Sequence, residues 1–122
     1  MKIYLSHSGN HDYETELYAP LKSSDIARTH QILFPHDKEN INQKSKNWIE
    51  VADLVIAETS HPSTGQGIEL GWADAAAKRI LYFYKTGSKI SSSLKFITED
   101  SIEYSDATDM LKQLEAWLVT AQ

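Results

Sequence analysis

Residues 52–74, ADLVIAETSHPSTGQGIELGWAD, constrain what this chain can fold into more than any other stretch. Leu54-Val55-Ile56-Ala57 is a short apolar run without alternation, the pattern of a strand buried on both faces. His61-Pro62-Ser63-Thr64-Gly65-Gln66-Gly67 follows as turn chemistry. Residues 68–78 are dense in alanine and other helix formers, and charge returns at Lys78 and Arg79. Strand, loop and helix in this order form one unit of a parallel α/β sheet. Glu69 falls in the first turn of the expected helix, just past the carboxyl end of the strand. Open α/β sheets bind ligands at that edge. Gly65 and Gly67 would let backbone N–H groups approach a ligand, and Ser63 and Thr64 add hydroxyls. Two readings of Glu69 stand: a carboxylate acting as base or nucleophile, or an acid that complements the helix dipole.

The rest of the chain alternates in the same way. A first strand covers residues 3–6 and leads into the polar loop Ser6-His7-Ser8-Gly9-Asn10-His11. Helical spacing through Leu17, Leu21 and Ile26 predicts a helix over 13–26, with Asp12 as N-cap and a kink or split at Pro20. Residues 31–34 read as a strand stopped by Pro35. After a polar loop over 36–43, Asn40 or Asn42 caps a helix ending near Val51, with Trp48, Ile49 and Ala52 on its apolar face. Residues 79–84 read as the fourth strand, and 86–93, rich in Ser, Gly and Lys, as a mobile loop. Residues 94–97 suit either a strand or a short helix. Glu103-Tyr104 belongs to a last strand, and Asp106 caps a helix over 107–119 with Leu111, Leu114, Trp117 and Leu118 facing inward. The expected fold is one doubly wound, flavodoxin- or Rossmann-like domain over 1–122. Its parallel five-stranded sheet, in the order 2-1-3-4-5, carries helices on both faces.

Composition narrows the function. The chain has 122 residues and a net charge of −5, so it lacks the basic footprint of a protein that binds a nucleic-acid polymer. A small nucleotide is compatible, because a few N–H groups can hold one phosphate. Without cysteine there is no disulfide, zinc thiolate or thiol catalysis. No apolar run is long enough for a membrane span, and residues 1–5 are too short an apolar core for a secretory signal, which makes a cytoplasmic protein the expectation. No two histidines have metal-ligand spacing on a helix, so neither a metal nor another cofactor is expected.

The central stretch resembles the nucleoside 2-deoxyribosyltransferase superfamily, and most of all its 2'-deoxynucleoside 5'-phosphate N-hydrolase branch. Ala52-Asp53, Ala57-Glu58, Pro62-Ser63, Gly65, Gly67, Glu69-Leu70-Gly71 and Ala73 carry the resemblance. It continues more weakly through Trp48 upstream and Lys78-Arg79-Ile80-Leu81 downstream. It implies N-glycosidic cleavage or transfer on a small nucleoside or nucleotide, with Glu69 attacking the anomeric carbon to form a covalent sugar ester. It implies a pocket drawing on Ser6, Ser8, Gly9, Ser45, Ser63, Gly65 and Gly67, and a homodimer with shared active sites in which Ser92 reaches the partner's phosphate site.

The departures from the pattern are specific. The family carries an Asp three residues before the helix tryptophan; here that position is Ser45, which cannot titrate near neutrality. His36 or Asp37 would then have to assist the leaving group. The first loop lacks the arginine usual in the phosphate-hydrolysing branch, so either serines hold the phosphate or the substrate has none. Two other readings follow. One is a catalytically silent nucleotide-binding module. The other is a TIR-like interaction or NAD-cleaving domain, suggested by Ile3-Tyr4-Leu5-Ser6-His7-Ser8 but lacking a Trp-x-x-x-Glu helix pattern.

Overall fold

The computed structural model describes residues 1–41 and 44–122. Strands β1 (Lys2–His7), β2 (Gln31–Leu33), β3 (Leu54–Glu58), β4 (Arg79–Lys85) and β5 (Ser101–Tyr104) form one parallel sheet in the order β2-β1-β3-β4-β5. This is the doubly wound order expected from the alternation of elements. Helices α1 (Ala19–Lys22), α2 (Asp25–Thr29) and α5 (Ala107–Ala121) cover one face, and α3 (Ser45–Val51) and α4 (Thr64–Ala75) cover the other.

Strand alternation builds the two cores. Ile3, Leu5, Leu54, Ile56, Leu81 and Phe83 pack under Leu17, Leu21, Met110, Leu114 and Leu118. Tyr4, Val55, Ala57 and Ile80 pack under Ile49, Leu70 and Ala73. All five residues of β3 are buried, which explains its apolar run. Full burial of each large aliphatic side chain contributes roughly 1.5–3 kcal/mol, so this strand anchors both layers.

The expected helix over 13–26 is split, but not at Pro20. A π-turn, Glu14–Tyr18, runs into α1 with Tyr18 and Ala19 still helical, and Pro20, which has no N–H to donate, follows the change from π to α register. The break falls at Ser24, whose hydroxyl donates to Leu21 O at 2.6 Å. Asp12 Oδ1 accepts from Thr15 N at 3.3 Å, as an N-cap does. Among the described residues, helix α3 has no side-chain cap. Asn40 instead closes the preceding loop, its Nδ2 donating to Phe34 O at 2.9 Å. Asn42 lies outside the described residues.

Helix α4 begins earlier than the glycines suggest. Ser63 Oγ accepts from Gln66 N at 3.3 Å, making Ser63 the N-cap and Thr64 the first helical residue. The cap offsets much of the roughly 1 kcal/mol that a helical glycine costs. Gly65 and Gly67 are therefore helical, and Glu69 sits in the second turn rather than the first. A 3-10 turn, Ser92–Phe96, decides the alternatives at 94–97 in favour of helix, with Leu94 buried. In the expected mobile loop, Thr86 N donates to Tyr104 O at 2.9 Å and Gly87 turns the chain with φ 89°. Asp106 caps α5 as expected, its Oδ1 accepting from Asp109 N at 2.8 Å. Among the described residues, no helix is long and apolar enough to cross a membrane.

Candidate active site

Glu69 is held by β1. Tyr4 and Ser6 lie two residues apart on that strand and so present the same face, the one α4 covers. Tyr4 Oη donates to Glu69 Oε2 at 2.6 Å, and Ser6 Oγ donates to Glu69 Oε1 at 2.9 Å. Ser45 Oγ lies 2.9 Å from Tyr4 Oη. The phenol has one proton, directed to the carboxylate, so Ser45 donates in that pair. Burial first, and then the Glu69 charge, push the Tyr4 phenol well above the usual tyrosine range. Each carboxylate oxygen carries two acceptor sites, so both keep one free toward a ligand.

Gln66 fixes the start of α4 against the sheet. Its buried Nε2 donates to Glu58 O at 2.7 Å and to Ser6 O at 3.3 Å. Neither Tyr4 nor Gln66 was picked out by sequence reasoning. The signal for Tyr4 was the alternation that places it with Ser6. For Gln66 no sequence signal existed, because its acceptors are backbone carbonyls at the ends of two neighbouring strands.

His7 follows Ser6 and points to the other face. Its Nδ1 donates to Ser8 O at 2.8 Å, leaving Nε2 to accept from Tyr18 Oη at 2.6 Å. Burial brings its pKa down to about 4. The His36 ring lies 4.6 Å from the His7 ring and 4.9 Å from Tyr13, centroid to centroid. Its backbone N–H donates to Tyr18 Oη at 3.0 Å. Asp37 is engaged elsewhere, with Lys22 Nζ at 2.9 Å from its Oδ1. Ser8 Oγ accepts from Asn10 N at 3.0 Å and closes the first loop, while Gly9 is exposed beside His36. Glu69, Ser6 and Ser45 thus gather on one side of the β1 carboxyl end, and His36 stands on the other with His7. In the order β2-β1-β3, β1 is where the chain's direction of winding reverses, the usual ligand crevice of such sheets.

A cavity of about 530 Å³ opens on the far side of α4 from Glu69. Ser63, Gly67, Leu70, Ser91 and Ser93 are among its lining. Gly67 and Gly71, on that wall, are two positions either side of Glu69 and project about 200° away from it around the helix. Gly65 lies outside this lining, and Ser92 is exposed between the two serines that form part of it. Among the described residues, a Cβ added at Gly65 or Gly67 would meet nothing within 4 Å beyond its chain neighbours and its own helix backbone, so packing against them does not require glycine at either place.

Helix spacing offered no pair of metal-binding histidines, and the tertiary structure gathers three side chains of metal-ligand type from elsewhere in the chain. His11, Glu16 and His61 bring ligand atoms within 4.8 Å of one another. They come from two loops and the π-turn, so helix spacing carried no trace of them.

The profile of the nucleoside 2-deoxyribosyltransferase family matches residues 7–114. Among curated proteins, the chain is similar to the 5-hydroxymethyl-dUMP N-hydrolase of Rattus norvegicus, 36% identical over 63 residues that cover 50% of this chain and 39% of that protein. It is similar to the Esox lucius protein of the same name, 26% identical over 92 residues that cover 74% of this chain and 63% of that protein. The matched stretches therefore span less than two thirds of either relative. Among solved structures, a CMP N-glycosidase from Clostridium botulinum has a TM-score of 0.69 at 19% identity, covering 94% of this chain and 99% of that one. A 2-deoxyribosyltransferase from Bacillus psychrosaccharolyticus has a TM-score of 0.59 at 23% identity, covering 90% of each chain. These two likenesses concern the fold. With most of its length matched by the family profile, this chain belongs to the nucleoside 2-deoxyribosyltransferase family.

Proposed function

We propose that the chain cleaves the N-glycosidic bond of a small nucleoside or nucleotide, with the Glu69 carboxylate as nucleophile. The observation that carries this reading is the double clamp on Glu69 by Tyr4 and Ser6 at the carboxyl edge of the sheet. A carboxylate oriented by two donors, with acceptor sites left over, is suited to attack an anomeric carbon. One oxygen forms the bond to C1', and the C1'–N bond breaks with its electron pair leaving on the base. The base takes a proton, and water then hydrolyses the ester, returning the free sugar and the carboxylate. A second nucleoside base in place of water would give transfer. The nucleotide named for the similar N-hydrolases supports a nucleotide substrate for this chain.

His36 is the proposed source of the proton for the leaving base. Asp37 is less suited, because Lys22 occupies its carboxylate. The Ser63 cap and the first N–H groups of α4 are proposed to hold a phosphate where one is present. Two copies are proposed to assemble through α3 and α4, where Val51, Ile68 and Trp72 are exposed. A groove of about 260 Å³ between Ile49, Trp72, Ala75 and Ala76 lies on that surface. Such an assembly would let residues 86–93 of one copy approach the Ser63 region of the other.

A catalytically silent binding module is the second reading, favoured by Ser45 at the place where the family carries an acid. Release of base from a panel of nucleosides, nucleotides and NAD decides between them. Wild-type protein should release base from at least one nucleotide, and Glu69→Ala should lower that rate by about 10³-fold or more with the fold intact. Near-normal turnover by Glu69→Ala would overturn the nucleophile assignment. No release from any compound, with nucleotide still bound, would favour the silent module.

A further inference from the structure

The geometry points to a transition-metal site formed by His11, Glu16 and His61, taking a first-row divalent ion of the zinc class. The three side chains offer ligand atoms that all lie within 4.8 Å of one another. Donors around a tetrahedral ion stand about 3.3 Å apart, so closure asks for shifts of roughly an ångström. His61 and Glu16 are exposed and free to make them, whereas His11 is half-buried and sets the position.

Two further observations single out His11. Its Nδ1 is buried and has no hydrogen-bond partner among the described residues, a costly state for a ring nitrogen unless something fills it. The His11 and His61 rings already stack, with centroids 4.3 Å apart. Two imidazoles and one carboxylate are the donor set of a zinc-type site with an open position. Magnesium and calcium prefer oxygen donors throughout, so two nitrogen ligands select against them.

Bound there, the ion ties the loop after β1 to the loop after β3. Both flank the carboxyl end of the sheet. Residues 6–16 and 58–67 contain no Lys or Arg, so the ion also supplies the positive charge these loops lack. That second role, toward an anionic ligand, rests on the nucleotide reading above; metal binding itself does not.

The test is titration of the untagged full chain, stripped of metal, with Zn²⁺ by calorimetry and with Co²⁺ by visible absorption. Saturation at one ion per chain is expected, with the intense Co²⁺ bands of a four- or five-coordinate nitrogen and oxygen site. His61→Ala and Glu16→Gln should each weaken binding by about tenfold or more, while Glu14→Gln, on the same turn, should not. Absence of saturable Zn²⁺ binding, or a Co²⁺ spectrum equal to that of the hydrated ion, would overturn the site. So would wild-type affinity in both His61→Ala and Glu16→Gln. Mg²⁺ binding as tightly as Zn²⁺ would overturn the metal class. None of these readouts depends on base release, so a failure here is distinct from a failure of the glycosidase reading.

Discussion

Tyr4 Oη donates to Glu69 Oε2 across 2.6 Å and ties a buried strand residue of β1 to the second turn of α4. The contact joins residues 65 positions apart in the chain. It turns a half-exposed helix acid into an oriented one. Tyr4→Phe keeps the packing and removes the donor. The expected result is a fall in kcat of about ten- to a hundredfold, with KM little changed, because a misdirected nucleophile loses near-attack geometry. Steady-state kinetics on the best substrate of the panel check this, and an unchanged kcat would remove Tyr4 from the mechanism.

Ser45 sits on the far side of the same phenol, 2.9 Å from Tyr4 Oη. An acid there would stand beside Tyr4 and near the Glu69 carboxylate. With His36 as the proton donor, Ser45→Asp should raise kcat little, whereas a rise of about tenfold or more, largest for bases that leave poorly, would mean that His36 does not fill that role. Rates measured across leaving groups of different pKa read this directly. A rate that stays flat would assign proton donation to His36 on the other face.

Alkaline stability follows from three buried phenols. Tyr4, Tyr18 and Tyr104 are each held above the usual tyrosine range, in every case chiefly by burial. Above pH of about 10 the unfolded chain therefore releases these protons before the native chain does. Fewer protons on the unfolded state means that stability falls as pH rises. The slope is up to about 1.4 kcal/mol per pH unit for each phenol that lags. Stability from this source is fully present below pH 10. Urea midpoints measured from pH 8 to 11 should decline, and Tyr104→Phe should decline less steeply than wild type. Parallel declines would refute the assignment for Tyr104.

Helix α4 ends on a strained residue. Ala77 has φ 57°, the left-handed region, after the C-cap Ala76. Lys78 N donates to Ala73 O at 2.9 Å and Ala77 N to Asp74 O at 3.0 Å, the paired bonds of a Schellman motif. Glycine fits that position without the Cβ clash, although it loses more entropy on folding. Ala77→Gly should stabilise the chain by about 0.5–1 kcal/mol, read as a higher urea midpoint at constant slope. A lower midpoint would mean that the backbone relaxes to accommodate alanine.

Assembly is tested by sedimentation. A two-fold dimer through α3 and α4 should run at about twice 13.8 kDa at micromolar concentration. Trp72→Glu, which puts a charge on the exposed face, should shift it to monomer. A single species of monomer mass, unchanged by added nucleotide, would end the shared-site proposal.

The sequence by itself determined the architecture. The apolar run at 54–57 reads as a doubly buried strand because both faces of those four residues are covered by helices. The motif through Glu69-Leu70-Gly71 was equally legible, and it carried the family. Helix limits were less so: the Ser63 cap overrode two glycines and moved Glu69 into the second turn. Only the tertiary structure decided what surrounds that acid. Tyr4 and Ser6 reach it from β1, and Ser45 of α3 meets the Tyr4 phenol, through contacts that join distant parts of the chain. Nor could the sequence separate Ser6 from His7 in function, although strand alternation sends their neighbours to opposite sides of the sheet. His11, Glu16 and His61 meet for the same reason: loops are brought together by the sheet they connect, and no local spacing records which loops those will be.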